Sequence, residues 1–181
     1  MNSVLQYVMY LGILVILAIP LGAYIKKAMC GEKTFLSKIL TPCEKAVYKI
    51  LHVDAEEQMT WKKYLVSVLL FSGIGLLFLF LLQMLQGVLG GNPQHVSGLN
   101  WDLAFNTAVS FVTNTNWQAY SGEAQMSYLT QAIGLTVQNF VSAATGIAVL
   151  FALIRGFMKV KSTGLGSFWV DLTRAGIHVL L

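Results

Sequence analysis

Three long apolar stretches, separated by polar ones, set the plan of this chain. Residues 2–25 carry no charge and are long enough to cross about 30 Å of hydrocarbon, with Pro20 placed to bend the inner end. Residues 64–89 form a second span whose Leu and Phe favour lipid contact, and residues 128–154 form a third, with 124–127 extending it outward. Between these two lies a shorter pattern. Gly90, Gly91, Pro93 and Gly98 turn the chain. Residues 102–112 then read as a helix roughly 16 Å long, about half a bilayer. Such a helix must enter and return, and re-entrant backbone survives in a membrane only where protein buries it or where it lines a wet cavity. Asn100 or Ser97 can cap its start, Asp102 suits its first turn and Trp101 suits an interface. A further apolar segment opens at 167–181 and stops short of a full crossing.

Composition sharpens this plan. The chain has 181 residues, 56% hydrophobic and 11% charged, where a soluble domain carries about 25% charged residues. Its mean hydropathy is +0.66. Twelve Lys and Arg against eight Asp and Glu give a net charge of +4, yet nucleic acid is not the implied partner. The basic residues sit at the ends of spans rather than in a patch beside stacking aromatics. None lies between Tyr64 and Ile154. The positive-inside rule therefore puts 26–63 and 155–166 in the cytoplasm, and puts the N-terminus and 90–127 outside. No basic run precedes the first apolar stretch, so it reads as a retained span and not a signal peptide. Residues 35–53 have helical spacing, which fits an amphipathic element on the inner surface or a small packed cytoplasmic loop. Cys30 and Cys43 fit no metal signature and read as reduced thiols.

The short helix delivers its partial negative charge to mid-membrane. Thr113, Asn114, Thr115, Asn116, Trp117 and Gln118 follow it. Extended, they turn carbonyls and amide side chains toward one axis, where oxygens can replace the water of a weakly hydrated monovalent cation. Magnesium prefers carboxylates and sheds water reluctantly, and this stretch has no carboxylate. Potassium is the natural ligand, although carbonyl count alone does not exclude sodium. An external loop with ordinary Asn and Thr turn chemistry is the competing reading. In the third span Gln131, Gln138, Ser142 and Thr145 follow steps of seven, four and three, with Asn139 beside them. That polar face either lines a pore or joins helices. His52, His95 and His178 are scattered, and no nucleophile set, phosphate loop or DKTG-like site appears, so the chain is not expected to bind or hydrolyse ATP.

The runs NWDLAFNTAVSFVTNTNWQAYSGE, GLTVQNFVSAATGIAVLFALIRGF and WVDLTRA resemble the A subunit of the bacterial Kdp potassium-transporting ATPase. The resemblance covers almost the whole chain. It implies an all-α membrane protein: transmembrane helices with a re-entrant pore helix and a selectivity-filter loop, one span–pore–span repeat of a potassium-channel-like transporter preceded by an extra span. The expected divisions are a first span at 1–27, a cytoplasmic segment at 28–63, the first repeat at 64–161 and the start of a second at 162–181. The family's filter matches Thr113, Asn114, Thr115, Asn116 and Gln118 here, while Gln131, Gln138, Ser142 and Thr145 are possible pore-lining residues. The implied cargo is the potassium ion. The implied partners are membrane lipid, an ATP-hydrolysing B subunit, a C subunit and a small single-span subunit, in the bacterial inner membrane. The family's A subunit is much longer, so the chain is expected to be an N-terminal portion. A passive channel assembled from several copies and a non-transporting fragment are the alternatives.

Overall fold

The computed structural model describes residues 3–158 and 164–181, and among them every regular element is helical. Helix α1 (Ser3–Met29) runs through Pro20 and past the expected end at Ile25, taking Lys26 and Lys27 into its last turn. Only Ala28 and Met29 of this helix are buried, and its remaining apolar length is exposed. Helix α2 is Ser37–Leu51. Helix α3 (Trp61–Leu85) starts three residues before the expected Tyr64. The Thr60 hydroxyl accepts from the backbone N–H of Lys63 and so fixes that start. Helix α4 (Trp101–Val112) is the predicted half-length element, and α5 (Gly122–Gln125) is a single turn. The third span starts as a π-helical stretch at Thr130–Thr136 and continues as α6 (Val137–Met158). Helix α7 (Phe168–Arg174) likewise runs on into a π-helical stretch at Ala175–Leu180. Three helical segments, Ser3–Met29, Trp61–Leu85 and Thr130–Met158, are long and apolar enough to cross a membrane.

Packing follows the small and apolar positions. Helix α4 lies between α3 and the third span, burying Ala104, Thr107, Ala108, Ser110 and Phe111. Ala108 and Phe111 join Leu79, Met126 and Leu135 in one apolar cluster. At the opposite end, Met59, Tyr64, Ala148, Ala152 and Phe168 form a second cluster. The Tyr64 and Phe168 rings meet edge to face at 5.6 Å. A third cluster of Met29, Ala144 and Ala175 holds the end of α1 against the last helix.

The ends of the bundle are also tied by polar groups. Gln86 is fully buried at the end of α3. Its amide donates to the carbonyls of Ser97 (2.8 Å) and Gln125 (2.7 Å) and accepts from the N–H of Ser127 (3.0 Å), joining both connecting loops. At the other end Arg155 makes a two-pronged ion pair with Asp171 (2.6 and 2.8 Å), and Tyr64 donates to the same carboxylate. Helix α2 docks through one buried charge. Glu44 accepts from Tyr48 (2.6 Å) and Arg174 (3.0 Å) and lies 2.8 Å from His178 Nε2. Its apolar residues Ile39, Ile50 and Leu51 stay exposed. This stretch is therefore a helix packed on one face and exposed on the other.

Candidate functional site

The local sequence after α4 explains the shape of the loop. The helix ends at Thr113, whose φ of −82° and ψ of 1° leave the helical region. Asn114 (φ 57°) and Asn116 (φ 54°) are left-handed, whereas Thr113 and Thr115 are not. Asn tolerates that region better than other side-chain-bearing residues. The loop is thus not the simply extended segment expected from sequence. The sign of φ alternates over Thr113–Asn116, and such alternation turns successive carbonyls toward one side.

The donors around the loop converge on the end of α4. The Ser110 carbonyl accepts from the N–H groups of Thr115 (3.0 Å) and Asn116 (3.2 Å) and from the Thr115 hydroxyl (3.1 Å). The Thr113 hydroxyl donates to Val109 O (2.9 Å), and the buried Ser110 hydroxyl donates to Trp117 O (2.9 Å). No donor among the described residues meets the carbonyls of Thr113, Asn114, Thr115 or Asn116. Asn116 Oδ1 is likewise buried without a partner among the described residues. This side of the loop is a row of oxygens with no protons supplied to it.

The third span meets the loop from the side. Asn116 Nδ2 donates to Asn139 Oδ1 (2.8 Å), and the Ser142 hydroxyl donates to Asn114 Oδ1 (3.4 Å). Asn139 lies nine residues beyond Thr130, which places the loop about 14 Å below the start of that span at about 1.5 Å per residue. The contact therefore falls within the length of the third apolar span. The amide side chains of Asn114 and Asn116, expected to face the ion, are instead used to fasten the loop to its neighbour.

The polar stripe expected along the third span is divided. Gln131 donates to the carbonyls of Gly122 (3.2 Å) and Met126 (3.1 Å), bracing the connection above the loop. Gln138 turns to α3, where its Oε1 occupies the space beside Gly75. Thr145 donates to Val141 O in its own helix (2.9 Å). Of the four, Ser142 alone touches the loop. The π-helical stretch at Thr130–Thr136, stabilised by the Thr136 hydroxyl donating to Gln131 O five residues back (2.9 Å), turns Gln131 relative to the three residues in α6. A π-turn accommodates one extra residue. The position one face-repeat beyond Gln131 is then Asn139 and not Gln138. Hydrophobic periodicity carries no mark of such an insertion, and the only sequence cue was an Asn adjoining the stripe.

A family model for the potassium-transporting ATPase A subunit matches residues 8–181. The chain is 66% identical over 181 residues to the potassium-transporting ATPase potassium-binding subunit of Clostridium botulinum strain Eklund 17B, covering 100% of this chain and 31% of that relative. It is 63% identical over 180 residues to the same-named subunit of Clostridium perfringens, covering 99% of this chain and 31% of the relative. For the same-named subunit of Desulfovibrio desulfuricans the identity is 56% over 180 residues, again 99% of this chain and 31% of the relative. The chain thus spans under a third of the length of these curated relatives.

Proposed function

Because the chain belongs to the potassium-transporting ATPase A subunit family, we propose that Thr113, Asn114, Thr115, Asn116 and Gln118 form one arm of a filter that binds and passes potassium ions. The row of undonated carbonyls at the end of a half-length helix carries this reading. Unpaired carbonyls at membrane depth are costly unless a cation or water meets them. The negative end of α4 adds a favourable field for a cation, and no carboxylate is present to prefer a divalent ion. Gln118, two residues beyond Asn116, is exposed.

Around this arm, residues 64–161 make one span–pore–span repeat, 1–27 an additional span, 28–63 a cytoplasmic segment and 162–181 the opening of the next repeat. The loop faces outward and the basic stretches 26–63 and 155–166 face inward, in the bacterial inner membrane. The chain itself is non-catalytic. A separate ATP-hydrolysing B subunit drives transport, and a C subunit and a small single-span subunit complete the complex. Ser142 belongs to the pore face of the third span. Gln131, Gln138 and Thr145 serve its packing.

Gln118→Arg in the full-length subunit, assembled in its complex, tests the reading. A fixed positive charge about 10 Å from the ion opposes its binding by about 1.7 kcal/mol at an effective dielectric of about 20. The potassium concentration giving half-maximal uptake should rise roughly tenfold or more. Uptake of unchanged affinity would overturn the assignment.

A further inference from the structure

We propose that Asn139 and Ser142 are positioning residues that set ion selectivity, by holding Asn114 and Asn116 left-handed from outside the loop. The inference rests on the filter reading above and extends it from the oxygens to what fixes them.

Two non-glycine residues in a run of four hold positive φ, at 57° and 54°. Each such residue carries a conformational cost that its surroundings must offset. The backbone supplies part of that offset through the N–H groups of Asn114, Thr115 and Asn116, which bond to the end of α4, and the side chains are left to supply the rest. The bond joining the two amides to each other, from Asn116 Nδ2 to Asn114 Oδ1, is long at 3.5 Å. The short external tie is Asn116 Nδ2 to Asn139 Oδ1 at 2.8 Å, with Ser142 Oγ to Asn114 Oδ1 at 3.4 Å as its companion. Asn139 and Ser142 are three residues apart in α6 and so share a face. The single Ser142 hydroxyl proton is shared between Asn114 Oδ1 and its nearer acceptor Asn139 O at 3.1 Å, which makes this the weaker of the two ties. The strut therefore grips both left-handed residues by their side chains, and their carbonyls remain free.

This geometry has a consequence for discrimination. Potassium and rubidium share charge and chemistry and differ only slightly in radius. A row of carbonyls separates them only if its spacing is held against relaxation around the larger ion. Asn139 touches no ion in this arrangement. It acts through Asn116, and its loss frees the Asn116 backbone to drift toward the right-handed region.

The test uses the complete complex, with potassium and rubidium each titrated as the ion that stimulates ATP hydrolysis. The readout is the ratio of their half-saturating concentrations. Asn139→Ala should narrow the preference for potassium about fivefold, the scale of one lost neutral hydrogen bond. Asn139→Asp keeps the Oδ acceptor and should restore the ratio to within about twofold of wild type. Ser142→Ala, a change too small to prevent folding, should narrow the ratio by a lesser amount. Asn116→Gly removes the side chain that Asn139 holds, and glycine takes positive φ without help. Adding Asn139→Ala to Asn116→Gly should then change nothing further, since the two residues act as one unit. An unchanged ratio in Asn139→Ala, or equal losses in both backgrounds, overturns the strut. If Asn116→Gly and Gln118→Arg both leave the half-saturating potassium concentration untouched, the filter reading falls first and takes the strut with it.

Discussion

The two ends of the helix bundle are fastened by opposite chemistry. Around the loop the ties between helices and loops are neutral: Gln86 to three backbone groups, Gln131 to two carbonyls, Asn116 to Asn139. At the other end the ties are charged, with Arg155 on Asp171 and with Arg174 and His178 on Glu44. If the loop is the proposed filter arm, the difference follows from what a cation site tolerates. A unit charge about 8 Å from a bound ion changes its energy by about 2 kcal/mol at an effective dielectric of about 20, whatever the ion. Such a charge sets affinity and erases nothing between potassium and its neighbours. Dipoles held at fixed spacing respond to ion size, so the loop end is assembled from amides, hydroxyls and carbonyls. The charged end has another task. It joins segments far apart in sequence, Glu44 to Arg174 and Tyr64 to Asp171.

The largest effect should come from breaking the charged end. Arg155→Ala leaves the nearly inaccessible Asp171 carboxylate with Tyr64 as its remaining side-chain donor. Removing one member of a buried pair costs about 3–5 kcal/mol. Thermal unfolding in detergent should register that loss, while the potassium-to-rubidium ratio of whatever complex assembles stays that of wild type. A shifted ratio would show that the two ends are coupled and not separately built.

A smaller effect should come from acid. Burial pushes the Glu44 carboxyl up, but hydrogen bonds from Tyr48, Arg174 and His178 more than offset this and hold it below the ordinary carboxylate range. A group whose folded-state pKa is depressed contributes stability above its unfolded pKa and loses it as pH falls through the folded value. Helix α2 should therefore stay docked at neutral pH and loosen below the usual carboxylate range, seen as faster amide hydrogen exchange over Ser37–Leu51. In Glu44→Gln that acid-dependent step should vanish. A step of unchanged size would assign the docking to other groups.

Much of this was legible in the chain, and the exceptions share a cause. Spans and a half-length helix announce themselves by the length of their apolar runs, and both Asn residues of the loop are types that accept positive φ. The alternation itself was not legible, because it depends on tertiary contacts: Ser110 O collecting the N–H groups of Thr115 and Asn116, and the third span meeting the Asn side chains. Glu44 was hidden for a similar reason. A helix docked by one carboxylate leaves no periodic signature, and its partners lie over a hundred residues away. The π-helical stretch was the most consequential omission, since one extra residue puts Asn139, and not Gln138, one face-repeat beyond Gln131.

That register shift supplies the smallest and sharpest prediction. A Cβ on residue 75 would stand 2.8 Å from Gln138 Oε1, so Gly75→Ala must displace the end of that side chain. The intruding contact is with a flexible amide and not with backbone. Alanine also favours a helix interior over glycine by about 1 kcal/mol, which works against the cost of moving Gln138. Net stability should change by less than about 1 kcal/mol in detergent unfolding. Ion discrimination should not change at all, because Gln138 faces α3 and the residue that meets the loop is its neighbour. If Gly75→Ala narrowed the preference for potassium as strongly as Asn139→Ala, the third span would be running in uninterrupted α-helical register, with Gln138 and not Asn139 turned toward the ion.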